Sequence, residues 1–223
     1  KIPSGQIDDV PYLEAVGKLK KNIFLSTGAS TKHEISKALD ILIKNGISKK
    51  KITILHCVSQ YPASIKNLNL YSIKYLRKKF KLPVGFSDHS LGFDASILAI
   101  GLGAKVIEKH FTLNKNQIGP DHKSSLNPKE LNDFIRKIRL AEKSLGEFNK
   151  KPKKDELINL RYIRKKIIAK KNIKLGEKFT NKNLTTKRSA VGIAASNWKK
   201  ILGKKSKKNY KLNQGIILWN CVL

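Results

Sequence analysis

The stretch that decides the fold runs from Pro83 to Thr112 and reads PVGFSDHSLGFDASILAIGLGAKVIEKHFT. It contains two short apolar strands with an apolar helix between them, and each strand ends at a histidine, His89 or His110. Side chains at the carboxyl ends of parallel strands meet at one mouth of a sheet or barrel. Two imidazoles held there suit a divalent metal such as Mn²⁺ or Zn²⁺. Glu108 lies two residues before His110 and therefore points to the same side of its strand.

The rest of the first half of the chain alternates apolar strands with amphipathic helices. Two further strands, Asn22–Gly28 and Ile52–Ser59, are apolar and end in polar side chains, and a strand stub begins at Lys1. Such alternation favours a parallel sheet with helical crossovers. The reactive strand ends favour a (β/α)₈ barrel, in which the chemistry lies at the carboxyl ends of the strands. An open doubly wound sheet is the alternative.

The helices carry their own start and stop signals. Thr31 and Glu34 form a predicted capping box, and Gly46 is a predicted helix stop. Asn127 followed by Pro128 predicts an N-cap and a first helical residue. The apolar spacing predicts helices over Val10–Leu19, 31–46, Leu70–Phe80, Ala95–Leu102 and 127–146.

The strand count bears on the domain organisation. About five of the eight strands of a closed barrel are present, so about three would have to lie upstream of Lys1. The chain contains no methionine and begins with lysine, and we expect an amino-terminal truncation. Residues 1–146 are therefore interpreted as the later portion of a barrel. Residues 147–160 are charged without an apolar stripe and are predicted to be a linker, and residues 161–223 are predicted to form a small β-rich module with a short helix at 197–202.

The composition is strongly basic, with 47 Lys and Arg against 16 Asp and Glu and a formal net charge of +31. A dedicated nucleic-acid surface would cluster these charges, but the lysines are spread over every segment. A non-enzymatic nucleic-acid-binding protein stays an alternative, and its binding would fall steeply with salt. A lysine-coated enzyme whose charge attracts anionic substrates is favoured.

Cysteine usage and hydropathy bear on location. The two cysteines, Cys57 and Cys221, are not spaced as a metal-binding pair and do not indicate a disulfide framework. No apolar run reaches the roughly 18 residues that a membrane span needs. We therefore expect a cytoplasmic protein without membrane association.

Six short segments occur in one order along the chain: KIPSG, LSTG, LHCVSQYP, SDHS, EKHF and GPDHKSSLNP. Each is weak alone, but together they resemble the sialic acid synthase family, which makes nonulosonic acids. The later segments KNIKLGE and LTTKR resemble the antifreeze-like SAF (β-clip) domain of the same family. The resemblance covers essentially the whole chain and implies a partial TIM barrel followed by that small β-rich domain. In the family, a segment carrying the first barrel strands precedes the KIPSG position.

The resemblance implies a phosphoenolpyruvate-dependent transferase that forms a carbon–carbon bond. In the family, the third carbon of phosphoenolpyruvate attacks the open aldehyde form of an N-acylated amino sugar. Water adds to the second carbon, and phosphate leaves by C–O cleavage. We expect N-acetylmannosamine as the sugar and N-acetylneuraminate as the product, with N,N'-diacetyllegionaminate or pseudaminate synthesis as alternatives. A different barrel enzyme that uses phosphoenolpyruvate or an aldehyde is a further alternative.

The resemblance also implies roles for individual residues. His89 and His110 would bind the metal, Mn²⁺ being the usual ion, which polarises the aldehyde oxygen. Glu108 would hold or deprotonate a water beside the metal. The positions that match phosphoenolpyruvate-binding residues are Lys1, Ser4, Ser26, Ser59 and Ser87. The positions that match sugar-facing residues are Gln6, Tyr61, Asp121 and Arg188, and the arginine would reach the N-acyl group across a domain-swapped homodimer.

Three positions depart from the family pattern. Gln6 stands where family members often carry an acid, which leaves the sugar preference open. Ser59 replaces a more usual Asn or Thr, and SAVGIAA after Arg188 replaces a common Pro–Gly pair. Because the upstream base and a second lysine expected of the family are not seen, we hypothesise that the 223-residue piece alone is inactive. The remaining histidines are interpreted as structural, surface and loop residues: His56, His33 and His122.

Overall fold

Residues 1–217 are described from a computed structural model. Four parallel strands form one sheet in chain order: β1 (Ile23–Ser26), β2 (Ile52–Cys57), β3 (Val84–Asp88) and β4 (Ile107–Lys109). Each strand pairs with the next one along the chain, and helices connect them. This is the arrangement of half a (β/α)₈ barrel. The predicted partial barrel is therefore confirmed.

Two isolated bridges extend the sheet at its two sides. Ile2 pairs with Leu25 beside β1, and Leu126 pairs with Phe111 beyond β4, both in parallel orientation. The predicted strand stub at the start of the chain is thus present as a bridge. The pairing at Leu126 was not predicted, because a single strand residue between a loop and a helix cap leaves no apolar run to recognise.

Five helices accompany this sheet, and their bounds agree with the predicted ranges to within about two residues. They are α1 (Val10–Lys18), α2 (Lys32–Lys44), α3 (Ser72–Phe80), α4 (Asp94–Gly101) and α5 (Pro128–Leu145). Short 3-10 turns lie at Ser4–Gln6, Lys49–Lys51, Ile65–Asn67 and His122–Ser124.

Two capping boxes begin the longer helices, as predicted. The Thr31 hydroxyl accepts the Glu34 N–H at 3.4 Å, and the Glu34 carboxylate accepts the Thr31 N–H at 2.7 Å. Asn127 and Glu130 make the same reciprocal pair at 2.9 and 3.0 Å. Gly46 follows α2 with a φ of 111°, a backbone conformation that favours glycine. These local signals fix where the helices start and where α2 stops.

The core of this part of the chain lies between the strands and their helices. The strand residues Leu25, Ile54 and Phe86 are fully buried and belong to one cluster with Leu13 and Leu42 of the helices. Every residue of β3 is buried. Burial on both faces is expected for parallel strands covered by helices. The strand ends that carry polar side chains therefore stand on a closely packed base.

The chain divides into two units, Lys1–Glu147 and a second one that begins at Phe148. The second unit contains α6 (Lys154–Ile163), β5 (Lys165–Ala169), β6 (Leu184–Arg188) and α7 (Trp198–Ile201). β5 and β6 pair in antiparallel orientation. Their buried side chains join Phe179 and Tyr210 in a separate core. The predicted small β-rich domain and its short helix are confirmed.

The predicted linker at 147–160 requires a correction, because its second half is helical. Lys154–Ile163 forms α6. The Glu156 carboxylate accepts the Lys153 N–H at 2.9 Å, and Asp155 and Glu156 place negative charge in the first turn, where the helix dipole favours it. The prediction relied on the lack of an apolar stripe and gave no weight to these end effects.

The predicted β-rich module extends to residue 223. Gly215 forms an antiparallel bridge with Ile168, which agrees with that prediction. Residues 218–223, including Cys221, lie outside the described residues. Over residues 1–217, no helix is long and apolar enough to cross a bilayer.

Candidate active site

The two strand-end histidines face each other at the carboxyl end of the parallel sheet. The ring centroids of His89, after β3, and His110, after β4, are 5.4 Å apart, with the planes at 81°. Tyr61, in the loop after β2, lies with its ring centroid 4.2 Å from His89 and 5.5 Å from His110. Segments that follow three neighbouring strands thus converge on one place, as the strand-end pattern predicts.

The two ring nitrogens of His89 have different neighbours, a backbone carbonyl for Nδ1 and a serine hydroxyl for Nε2. Its Nδ1–H donates to the Val58 carbonyl at 2.7 Å, which fixes the tautomer with an unprotonated Nε2. Ser87 Oγ lies 3.3 Å from that Nε2. Burial is the main reason that the pKa of His89 lies below its ordinary value, and the neighbouring His110 lowers it further. The ring is therefore neutral at pH 7, the form that binds metals.

His110 lies beside a carboxylate. Its Nδ1 is 3.7 Å from an oxygen of Asp121, and carboxylates in such positions orient metal-binding histidines. The loop that carries Asp121 is tied back to the end of β4 by a 2.7 Å hydrogen bond between Thr112 Oγ1 and His122 Nδ1. Asp121, predicted to face the sugar, thus lies close to His110 without a direct hydrogen bond to it.

Glu108 bridges Lys1 and Ser87, whose hydroxyl lies beside His89. Its Oε1 accepts hydrogen bonds from Lys1 Nζ and from Ser87 Oγ, each at 2.7 Å. Burial alone would raise the pKa of Glu108, but these two donors and the Lys1 charge outweigh it and lower the pKa. The carboxylate is therefore ionised at neutral pH. We call Lys1, Glu108, His89 and His110 the charged cluster.

A second group of side chains, which we call the hydroxyl pocket, consists of Ser4, Ser26, Ser59, Gly28 and Cys57. The hydroxyls of Ser4 and Ser59 are 3.3 Å apart. A methyl group at Gly28 would lie 2.2 Å from Ser59 Oγ, 3.0 Å from Cys57 Sγ and 3.1 Å from Ser4 Oγ. Ser26 lies next to the Cys57 thiol, and its buried hydroxyl has no hydrogen-bond partner within residues 1–217. A buried donor left without a partner fits a bound polar ligand.

The two remaining predicted sugar-binding residues lie on different units. Gln6 is half-buried in the 3-10 turn that also carries Ser4. Arg188 is exposed at the end of β6 in the second unit. Its reach to a sugar across a dimer stays a prediction.

The sequence prediction missed a buried ion pair behind the two histidines. Asp88 and Lys109 are opposite each other in the register of β3 and β4, and each directly precedes one of the histidines. Asp88 Oδ2 is 3.0 Å from Lys109 Nζ, and the two side chains are 0% and 4% exposed. Strand alternation indicates that residues adjacent to site-facing histidines point to the helix side, but the pairing of these two depends on the register between β3 and β4.

The imidazoles of His89 and His110 are suitable ligands for a divalent cation. His89 offers Nε2, and the His110 ring faces it. Among residues 1–217, no group of three or more His, Cys, Asp or Glu side chains is arranged to hold a metal ion. The two imidazoles would therefore supply two ligands with Glu108 nearby, and oxygens of water or substrate would complete the shell, as at open catalytic metal sites.

Comparison with known proteins assigns the family. Residues 1–150 match the sequence profile of the NeuB family, and residues 164–216 match that of the SAF domain. The chain therefore belongs to the NeuB family. This confirms the resemblance found in the six sequence segments and identifies the second unit as an SAF domain.

Relatives of this chain include synthases of legionaminic, pseudaminic and N-acetylneuraminic acids. The N,N'-diacetyllegionaminic acid synthase of Campylobacter jejuni is 50% identical over 211 residues, covering 95% of this chain and 63% of that protein. The synthase of the same name from Legionella pneumophila is 39% identical over 223 residues, covering 98% and 62%. The crystal structure of the N-acetylneuraminic acid synthetase of Leptospira borgpetersenii matches with a TM-score of 0.65 and 34% identity, covering 71% and 55%. The chain thus spans less than two thirds of the length of these curated relatives.

Proposed function

We propose that this chain is part of a nonulosonic acid synthase that condenses phosphoenolpyruvate with an N-acylated amino sugar. Membership of the NeuB family supports the reaction class. The observation that carries the proposal is the charged cluster. In it the ring centroids of His89 and His110 are 5.4 Å apart, beside the ionised carboxylate of Glu108. A cation held at such a rim suits the attack of an anionic substrate on a carbonyl.

Phosphoenolpyruvate would bind in the hydroxyl pocket and contact Lys1 beside it. Its carboxylate and phosphate need donors and a fixed positive charge. The Ser26 hydroxyl has no hydrogen-bond partner in the described part of the chain, and the hydroxyls of Ser4 and Ser59 are 3.3 Å apart. Lys1 brings the charge and is held in place by Glu108. This arrangement supports the predicted phosphoenolpyruvate positions.

His89 and His110 would hold the divalent metal, which we take to be Mn²⁺. When bound, this ion supplies Lewis-acid polarisation of the aldehyde oxygen. Val58 keeps His89 in the tautomer that presents Nε2, and Asp121 lies beside the opposite ring. Glu108, ionised at neutral pH, holds a reacting water and accepts its proton.

The choice of sugar is the finer part of the proposal. The sequence alone favours N-acetylmannosamine, whereas the 50% identity to a diacetyllegionaminic acid synthase supports a diacetamido sugar. Gln6 is consistent with the second choice, because a neutral amide can donate a hydrogen bond to an N-acetyl carbonyl and a carboxylate cannot. We therefore place a diacetamido sugar first, N-acetylmannosamine second and a pseudaminate-type sugar third.

A phosphate-release assay on protein produced from the complete coding sequence tests this function. Phosphate should appear only when phosphoenolpyruvate, Mn²⁺ and an acceptor sugar are all present. The diacetamido sugar should have the higher kcat/KM, and Gln6→Glu should reduce its advantage over N-acetylmannosamine. Release of no phosphate with any of the three acceptors would contradict the synthase activity.

Assembly and location are further parts of the proposal. In a domain-swapped homodimer, Arg188 would act on the site of the other subunit. Mixing inactive Arg188→Ala and His110→Ala proteins should then restore part of the activity, since one site of the mixed dimer has both residues. No recovery would indicate that Arg188 acts within its own chain or not at all. A cytoplasmic location stays a prediction.

A further inference from the structure

The strongest feature outside the reacting groups is the ion pair behind them. Asp88 and Lys109 contact each other through Oδ2 and Nζ at 3.0 Å, with almost no exposed surface. They are direct neighbours across β3 and β4, and the next residue of each strand is a histidine of the charged cluster. Any shift between Asp88 and Lys109 therefore shifts the two imidazoles relative to each other.

The pair lies in a closed hydrogen-bond network. Asp88 Oδ1 accepts the backbone N–H of Ser90 at 2.8 Å and its hydroxyl at 2.6 Å. Asp88 Oδ2 also accepts the hydroxyl of Ser96, on α4, at 2.6 Å. Lys109 Nζ donates to the Ser90 carbonyl as well. The network thus joins both strands, the loop after β3 and the helix that packs behind them.

Stability alone is a poor explanation for this arrangement. Taking two charges out of water costs about as much as their attraction returns, and apolar replacements of buried ion pairs are often equally stable. A fully hydrogen-bonded network in a low-dielectric interior instead fixes distances and directions, because its members have few alternative partners. Because Asp88 and Lys109 each directly precede a histidine, fixing their positions also fixes the separation of the two imidazole rings.

We propose that Asp88 and Lys109 are positioning residues that hold His89 and His110 at the separation that a divalent cation requires. This inference rests on the metal role proposed above for the two histidines. Strand alternation places both residues on the helix side, away from Ser87 and Glu108. They act on the metal through the histidines and do not touch the reacting atoms.

The test is a calorimetric Mn²⁺ titration of protein produced from the complete coding sequence. The double variant Asp88→Asn/Lys109→Met removes both charges at similar side-chain volume and leaves no buried charge unpaired. Its Mn²⁺ affinity should fall by about 10- to 100-fold, the usual range for changes behind metal ligands. Its Tm should stay near that of the unmodified protein.

A matched control removes a different ion pair. Lys115 and Glu130 are 2.7 Å apart, and their side chains are about one third exposed. Lys115→Met/Glu130→Gln should leave the Mn²⁺ affinity unchanged, and the glutamine preserves the capping box of α5. An equal loss of affinity in this control would overturn the inference, because it would reveal a general response to charge.

Ser96→Ala is the milder variant if the double variant does not fold. It removes one hydrogen bond to Asp88 and should weaken Mn²⁺ binding by less than about tenfold. Unchanged affinity in Ser96→Ala and in a folded double variant would overturn the positioning role and leave the metal site standing. An unmodified protein that binds no Mn²⁺ would contradict the metal site itself, and the positioning role with it.

Discussion

The hydroxyl pocket and the charged cluster are built in different ways. In the hydroxyl pocket, neutral side chains surround Gly28, and Ser26 has no protein partner in the described chain. In the charged cluster, Glu108 accepts a hydrogen bond from Lys1, His89 donates one to Val58, and His110 lies 3.7 Å from Asp121. The pocket thus offers donors that a ligand can take, whereas the cluster offers groups already oriented. Damage to the pocket should raise KM, and damage to the cluster should lower turnover.

The largest expected effect tests the charged cluster. His89→Ala and His110→Ala should each lower phosphate release by about a thousandfold, since a Lewis acid supplies several kcal/mol and each 1.36 kcal/mol is tenfold. The KM for phosphoenolpyruvate should change little. His33→Ala, at an exposed position of α2, is the control and should behave as the unmodified enzyme. Full turnover in either site variant would remove the distinction between the two regions.

The next effect tests the unpaired hydroxyl. Ser26→Ala should raise the KM for phosphoenolpyruvate about tenfold or more, because a hydrogen bond to a charged group contributes about 1.5–3 kcal/mol. Since the hydroxyl has no hydrogen-bond partner among residues 1–217, its removal should leave Tm unchanged or higher. Steady-state kinetics measure the KM, and a melting curve measures the Tm. A lower Tm with an unchanged KM would show Ser26 to be a structural residue.

A smaller effect tests the space beside that hydroxyl. Gly28→Ala would bring a methyl group to 2.2 Å from Ser59 Oγ, so the serine hydroxyls must rotate away from their positions. Such crowding costs about 1–3 kcal/mol, and we expect the KM for phosphoenolpyruvate to rise by up to about tenfold. Gly5→Ala is the matched control, because a methyl group there meets nothing within 4 Å. Equal KM values for the two variants would argue against the pocket.

The smallest effect concerns His56, which its sequence context predicts to be structural. His56 is buried, and its Nε2 is 2.7 Å from the Leu68 carbonyl. Burial lowers the pKa of His56 below 6.5, so on acidification the unfolded chain takes up a proton before the folded one does. Stability should therefore fall as the pH drops below about 6.5, by at most about 1.4 kcal/mol per pH unit from this residue. His56→Gln should reduce the loss of Tm between about pH 7.5 and 5.5. Identical losses in both proteins would show that His56 does not contribute.

The strand ends could be predicted because polar residues interrupt otherwise apolar strands. The SDH and EKH segments stand out for this reason, and the parallel arrangement brings His89 and His110 to one edge. The bond from His89 to Val58 and the ion pair of Asp88 with Lys109 could not be predicted in the same way. They depend on the register between strands and on the course of a loop, which periodicity does not contain.

In the second unit, the sequence predicted the overall character of the fold but missed a helix. Its β-rich character was predicted from the sequence. Its helix α6 was missed because charge at the first turn, rather than an apolar stripe, marks its start. Arg188 lies at the end of β6 as the LTTKR segment suggested. Its action on a sugar depends on assembly, so the sequence could supply it only through the family resemblance.

The proposed function depends on His89 and His110 holding one divalent cation between them. Crystals of the protein soaked in Mn²⁺ and measured at the manganese absorption edge test this claim most directly. One anomalous peak should appear within bonding distance of both rings. Mn²⁺ that binds elsewhere, or no peak between the two histidines, would contradict it.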